Sequence, residues 1–195
     1  MKIEAIFPTA IFIGVNEALV EELLQPTKEV LRDKTLSRNL GYNTTFGHQD
    51  GGLEKINPFF AFSEMIIEMG VNFFNQQGYK IKKEELQSYI FANEMYKGDS
   101  HPKHTHPDNI ISGVFYLQTP ENSAPIRFFD PRPFRKYVSF ETLTENEFSQ
   151  ESIQIFPHKG LMLMWESWLE HSVPKTLNEN ESRISLVFNL YKKKL

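Results

Sequence analysis

The N-terminal part of the chain carries two stretches in which apolar residues recur at helical spacing. The first follows Asn16, whose side chain is suited to cap a helix, and continues to about Leu31. The second begins at Ser63 and runs towards Gly78, a residue type that commonly ends helices. The pattern predicts two helices here, separated by a long polar loop over residues 37–57.

Short runs of β-branched and aromatic residues make up much of the remaining sequence. One such run covers residues 3–15, and Pro8 within it favours an edge strand, because proline cannot donate a ladder hydrogen bond. After residue 84 the apolar runs are separated by residues typical of turns. The predicted strands are 88–96, 111–118, 125–130, 152–156, 160–165 and 183–191.

This order of elements indicates the fold class. Two helices followed by about seven short strands predict an α+β, mainly β protein whose β part is a sandwich or jelly roll. The N-terminal helices are expected to pack on one face of the larger sheet. A length of 195 residues fits a single domain, with strands and supporting helices over 1–83 and the β core over 84–195.

Composition and charge narrow the classes of partner. The net charge of -4 disfavours nucleic acid as a direct partner, and the absence of cysteine excludes disulfides and thiolate chemistry. No apolar run reaches the roughly 20 residues of a membrane span. The first residues do not resemble a signal peptide, so the default expectation is a cytoplasmic location.

A cluster of metal-capable side chains follows the first long predicted strand. His104, His106 and Asp108 alternate along an extended segment, which places them on one side of it. A third imidazole from His171 would close one face of an octahedron. Two His and one carboxylate, with open positions left over, are the ligands of non-haem Fe(II) oxygenases. A polar loop with clustered histidines is the structural alternative.

The last predicted strand carries a candidate anion site. By alternation Arg183, Ser185 and Asn189 share one face, and a guanidinium inside a barrel requires an anionic partner. A bidentate carboxylate ligand would satisfy it, although pairing with Glu179 or Glu181 at the strand edge fits the sequence equally well. Neighbouring strands offer further candidates to line the same cavity, namely Tyr116, Asn93 and Tyr96.

Four segments together resemble the Fe(II)- and 2-oxoglutarate-dependent oxygenases, in a group distantly similar to prolyl hydroxylases. They are KGDSHPKHTHP, SGVFYL, GLMLMWESWLEHSVP and RISLVFNL. The resemblance implies a double-stranded β-helix (a jelly-roll, cupin-like fold) that binds Fe(II) and 2-oxoglutarate. It assigns His171 as the distal iron ligand, Arg183 and Ser185 to the far carboxylate of 2-oxoglutarate, and Tyr116 to a position near that carboxylate.

The resemblance leaves two registers for the first ligand pair. The His-x-Asp pattern fits His106 and Asp108 directly, and His104 would then lie beside the metal or face the substrate. Counting from the turn glycine instead gives His104, His106 and His171, an all-histidine site. The first register is preferred at this point, because a carboxylate ligand lowers the charge on iron.

The expected activity is hydroxylation with O2 and 2-oxoglutarate as cosubstrates and ascorbate as a possible reductant. The primary substrate is unidentified, with a protein or peptide side chain such as proline as the suggestion from the family. The alternatives are a cupin-like metal protein with non-oxygenase chemistry and a structural or interaction protein. The oligomeric state is left open.

Overall fold

The computed structural model of the protein describes residues 6–34, 41–132, 144, 146 and 148–193. Two α-helices and ten strands lie within these residues. The helices are α1 (Glu17–Lys34) and α2 (Phe59–Gln76). The strands are β1 (Ile11–Val15), β2 (Asn43–Thr44), β3 (Leu86–Met95), β4 (His101–His104), β5 (Ile111–Gln118), β6 (Ile126–Phe129), β7 (Ser152–Ile155), β8 (Leu161–Glu166), β9 (His171–Val173) and β10 (Arg183–Lys192).

The strands form two antiparallel sheets. The larger has the order β1-β8-β5-β10-β3-β2, and the smaller has the order β4-β9-β6-β7. Strands far apart in sequence are neighbours, as when β10 lies between β3 and β5. This arrangement is a mainly β, double-stranded β-helix, as predicted, and β1 takes the edge position that Pro8 indicates.

The larger sheet separates two apolar cores. Its outer face packs against α1 and α2, and its inner face meets the smaller sheet. Alternation on β10 shows the division, since Ile184, Leu186 and Phe188 join the helical core while Arg183 and Ser185 line a cavity between the sheets. The helices therefore support the sheet and leave its inner face available for chemistry.

The helix boundaries follow local hydrogen bonding. The Asn16 side chain accepts a hydrogen bond from the Leu19 amide at 3.0 Å and so caps α1, as predicted. The predicted start of α2 at Ser63 is wrong, because the helix begins at Phe59. Ser63 is buried inside the helix, where its hydroxyl bonds the hydroxyl of Ser88 at 2.7 Å instead of capping.

The predicted loop over 37–57 contains short regular pieces. Residues 37–40 lie outside the described part of the chain, and Leu53–Lys55 forms one turn of 3-10 helix. β2 pairs with β3, and Ala92 binds Thr45 through two hydrogen bonds of 3.0 and 2.9 Å. These bonds hold the loop against the sheet next to the cavity. Neither described helix is long and apolar enough to cross a membrane.

Candidate metal centre

A tight turn between β3 and β4 leads the chain into the segment that carries the clustered histidines. Gly98 has a φ of +91°, a conformation that favours glycine, and the Asp99 carboxylate accepts a hydrogen bond from the Tyr96 amide at 2.8 Å. The chain then enters β4, which pairs with β9 so that His104 lies opposite His171. Two histidines distant in sequence thereby become cross-strand neighbours.

Three imidazoles converge at this end of the cavity. One ring nitrogen each from His104, His106 and His171 lie within 4.8 Å of one another. The Nε2 atoms of His106 and His171 are 3.2 Å apart, close to the roughly 3 Å expected for two ligands at right angles, each about 2.1 Å from one metal. Among the described residues this is the group of acidic and imidazole side chains that is arranged to hold a metal ion.

Backbone carbonyls orient two of these rings. His104 Nδ1 lies 2.8 Å from the Pro102 oxygen, and His171 Nδ1 lies 2.9 Å from the Leu169 oxygen. A carbonyl only accepts, so Nδ1 carries the proton in both rings and leaves the Nε2 lone pair for a ligand. Metal-bound histidines are commonly held in this way.

Burial keeps the cluster neutral. It lowers the pKa of His106 to about 3 and that of His171 to about 4, with further lowering from neighbouring imidazoles. The pKa of His104 is lowered as well, again mainly by burial. Imidazole must be neutral to bind a metal, so the site stays competent well below neutral pH. Nitrogen ligands of this type fit iron, zinc, copper and nickel.

The lowered pKa values predict acid-sensitive stability for the protein after chelator treatment. Histidines in the unfolded chain titrate near 6.5, whereas His106 and His171 stay neutral in the fold until about pH 3 and 4. Between these limits the unfolded state binds more protons, so the free energy of unfolding should fall as pH drops from about 6.5 towards 4.

Urea denaturation in EDTA at pH 7 and pH 5 measures this effect. The variant His106→Gln removes one titrating group and should lose less stability between the two pH values than the parent protein. Equal losses in parent and variant would contradict the account.

Asp108 lies apart from the cluster. It is exposed in the turn after His106 with a φ of +64°, and it does not line the cavity that the three histidines share. The alternation argument fails because β4 ends at His104, so Asp108 does not continue an extended segment. The structure thus brings together the residues of the all-histidine register, and we adopt that register below.

The cavity of about 340 Å³ extends from the histidines to Arg183. Arg183 is 4% exposed, and its Nη1 and Nη2 atoms donate to the Ala124 carbonyl at 2.9 Å and the Met95 sulfur at 2.7 Å. Its Nε has no hydrogen-bond partner among the described residues. Burial lowers the pKa of the guanidinium, because the charged form loses its solvation there.

The alternative in which Arg183 pairs with Glu179 or Glu181 at the strand edge is not found among the described residues. Glu179 instead forms an exposed ion pair with Lys97 at 2.8 Å. The partners that the structure gives Arg183 are a carbonyl and a thioether, neither of which carries a charge. A carboxylate ligand would supply the missing charge.

The other predicted cavity residues divide into two groups. Tyr116, Ser185, Asn93 and Asn189 all line the cavity. The Arg183 guanidinium lies 5.6 Å from the centre of the Tyr116 ring, while Asn93 accepts from Thr44 and Asn189 from Ser112. The expectation for Tyr96 is wrong, because β3 ends at Met95 and Tyr96 is exposed in the following turn.

Two cavity residues have no assigned role in the sequence-based prediction. His101 lies in β4 beside His104, with ring centres 4.0 Å apart, and Tyr42 approaches it from the loop before β2. Its place in the sequence next to the other clustered histidines could have identified His101 as a cavity residue. No local pattern marks Tyr42, because its place depends on long-range pairing between β2 and β3.

Comparison with protein families finds one match. A family model described as "Putative 2OG-Fe(II) oxygenase" matches residues 89–189, just over half of the chain. The match includes all three clustered histidines and Arg183. No curated protein gives a significant sequence match.

Solved structures share the fold at low sequence identity. A prolyl-4-hydroxylase from Pseudomonas putida is 12% identical with a TM-score of 0.63, covering 95% of this chain and 94% of that one. A prolyl hydroxylase from Trichoplax adhaerens, in complex with a hypoxia inducible factor peptide fragment, is 11% identical with a TM-score of 0.61 over 93% and 83%. HygX from Streptomyces hygroscopicus, with nickel and 2-oxoglutarate bound, is 14% identical with a TM-score of 0.59 over 94% and 83%.

Proposed function

This chain belongs to the 2OG-Fe(II) oxygenase family, and we propose on that premise that it is a hydroxylase whose iron is held by His104, His106 and His171. Family membership implies Fe(II), 2-oxoglutarate and O2 as its cofactor and cosubstrates. The proposal adds which side chains hold each of them.

One observation carries the proposal. A cavity of about 340 Å³ is lined both by three convergent neutral imidazoles and by a buried arginine without an anionic partner among the described residues. A metal ion fits the imidazoles and a carboxylate fits the arginine. A short dicarboxylate that also chelates the metal would satisfy both groups at once.

Each polar residue has a distinct part in this arrangement. His104 and His171 present their Nε2 atoms because their Nδ1 protons are fixed on backbone carbonyls. Arg183 would hold the far carboxylate of 2-oxoglutarate, with Ser185 and Tyr116 beside it. When bound, Fe(II) and 2-oxoglutarate supply the oxidising chemistry, in which O2 is consumed and succinate and CO2 are released.

The remaining wall of the cavity is largely apolar. Val114, Ile126, Trp165 and Val187 line it, and the Trp165 ring lies 4.8 Å from that of His171. Such a lining excludes water from the reacting atoms and strengthens the electrostatic interactions inside. Packing by Trp165 also restricts the orientation of the His171 ring.

The rim and the lining of the cavity favour a substrate group without charge. Phe46 is half-exposed at its rim and packs on Phe91, with ring centres 5.0 Å apart. Among the described lining residues, Arg183 is the one with a permanent charge. We propose an apolar peptide side chain such as proline as the substrate, and the fold likeness to prolyl hydroxylases supports this choice. Ascorbate as a reductant stays an expectation from the family resemblance alone.

The all-histidine ligand set favours a second candidate function. Three histidines also hold the zinc of hydrolytic enzymes, where the metal activates a water molecule. Arg183 distinguishes the two functions, since a zinc hydrolase has no evident use for a buried cation directed at a dicarboxylate.

Turnover without a primary substrate tests the proposal. We expect the Fe(II)-loaded protein to convert 2-oxoglutarate to succinate in air, slowly but above the rate of the Arg183→Met variant. Succinate measured by mass spectrometry reports this reaction. Equal background rates in both proteins, with iron bound in each, would contradict the proposed function.

A further inference from the structure

One edge of the larger sheet is formed by a strand without polar side chains. β1 pairs with β8 on one side, and among the described residues no strand lies on its other side. The exposed fractions of the Ile13 and Val15 side chains are 59% and 58%. Ile6 and Phe7, which precede the strand, are 74% and 92% exposed. Exposed apolar side chains grouped at a free strand edge mark a surface that associates with another chain.

The backbone of β1 offers hydrogen bonds on this free side. The Asn16 amide donates to the Gly160 carbonyl at 2.9 Å, and in the register of the pair this directs the even-numbered residues of β1 towards β8. Backbone groups alternate in direction along a strand, so the N–H and C=O groups of Ile11, Ile13 and Val15 point away from the sheet. Three donors and three acceptors are therefore in position for a further strand.

Two of the other three sheet edges carry features that oppose such pairing. β2, at the far end of the larger sheet, has only two residues. β4, at one edge of the smaller sheet, contains Pro102, which has no N–H, and the exposed Lys103. Short length, proline and lysine are the usual protection of an edge strand. The five residues of β1 include neither proline nor a charged residue.

β1 is complementary to a second copy of itself in an antiparallel register centred on Ile13. Ile13 then lies opposite Ile13 of the second copy, and Ile11 lies opposite Val15. These are the residues whose backbone groups point outwards, so each of the six groups finds a partner. Phe12 lies opposite Gly14, a position without a side chain, where an added Cβ would be 2.7 Å from the Phe12 ring of its own chain. An aromatic ring beside a glycine fills the edge without a clash.

We propose that two copies of this chain associate through β1, about a two-fold axis beside Ile13, and so join their larger sheets into one continuous sheet. Such self-complementary contacts form the commonest kind of homodimer. A specific interface needs about 600 to 800 Å² from each copy, and the strand edge with its four exposed apolar side chains offers an area of this order. β1 contributes no residue to the lining of the cavity, so the inference is independent of the proposed function.

Sedimentation equilibrium of the full chain, from micromolar to submillimolar concentration, tests the inference. The parent protein should show a monomer–dimer equilibrium. Ile13→Lys should weaken the dimer at least about tenfold, because the two new ammonium groups lie opposite each other at the axis and two apolar contacts are lost. The Ile13 side chain is exposed in the single chain, so this variant should fold as the parent does.

Phe60→Lys is the matched control. Phe60 is 55% exposed at the beginning of α2, and this helix and the 3-10 turn before it contact β3, far from β1 in the strand order. The control should dimerise as the parent does. A parent that stays monomeric, or equal effects of the two variants, would overturn the inference.

Amide hydrogen exchange tests the strand register itself. The Ile13 amide should exchange more slowly as the protein concentration rises, because the second copy accepts its hydrogen bond. The Gly14 amide, which points towards β8, should be protected at every concentration. An Ile13 amide that exchanges rapidly in a dimer would place the contact elsewhere. Protection of that amide in a monomer would mean that residues of the same chain cover the edge. Either result would overturn the inference.

Discussion

Replacement of His171 by alanine is expected to abolish Fe(II) binding, with the affinity falling at least about a hundredfold. Loss of a residue that merely orients a ligand costs tenfold to a hundredfold, so loss of the ligand itself should cost more. His171 also lies at the centre of the cluster, next to His106 and opposite His104 in the strand pair. Anaerobic titration with Fe(II) measures the affinity.

The same measurement decides the ligand register. His104→Ala should weaken Fe(II) binding as strongly as His171→Ala does. Asp108→Ala should leave the affinity within about twofold, because its carboxylate is exposed outside the cavity. If Asp108→Ala weakens Fe(II) binding strongly and His104→Ala does not, this account of the ligands would be wrong. The ligand pair would then be His106 and Asp108, and the turn would have to rearrange around the metal.

Replacement of Arg183 by methionine is expected to abolish 2-oxoglutarate binding while iron binding persists. Removing one partner of a buried, hydrogen-bonded charge pair costs about 3 kcal/mol or more, which is roughly a hundredfold in affinity. Arg183 is a buried cation whose side-chain hydrogen bonds go to Ala124 and Met95 and not to the clustered histidines, so the metal ligands remain in place. Calorimetry with 2-oxoglutarate and separately with Fe(II) distinguishes the two sites.

The stability of Arg183→Met provides a second measurement. Without a bound ligand the guanidinium has a carbonyl and a thioether as partners, so its replacement by an apolar side chain should leave the melting temperature unchanged or raise it. Arg132→Met serves as control, since Arg132 forms an exposed ion pair with Asp130. Retained 2-oxoglutarate affinity in Arg183→Met would contradict the assignment.

Periodicity was sufficient to predict the parts of this fold that depend on local sequence. The apolar alternation of β10 predicted which side chains face the cavity, because a strand between two packed layers must sort its residues strictly. Asn16 predicted the start of α1 because capping is a contact between residues three apart. Strand alternation also predicted that Arg183 and Ser185 share a face, and both side chains line the cavity.

Long-range contacts decided the features that the sequence did not reveal. The prediction that α2 begins at Ser63 failed because Ser63 does not cap the helix. Its hydroxyl bonds instead to that of Ser88, 25 residues away. The metal register depends on β4 ending at His104 and pairing with β9, two strands of four and three residues that are too short to show a period. Tyr42 enters the cavity through the pairing of β2 with β3, which no local pattern encodes.

Anaerobic titration of the protein with Fe(II) and then 2-oxoglutarate tests the central claim most directly. The account predicts saturable iron binding, followed by a visible metal-to-ligand charge-transfer band when 2-oxoglutarate chelates the iron. Iron binding without the band would contradict the role of Arg183 and favour another metal chemistry. Absence of iron binding would show that the histidine cluster of His104, His106 and His171 is structural.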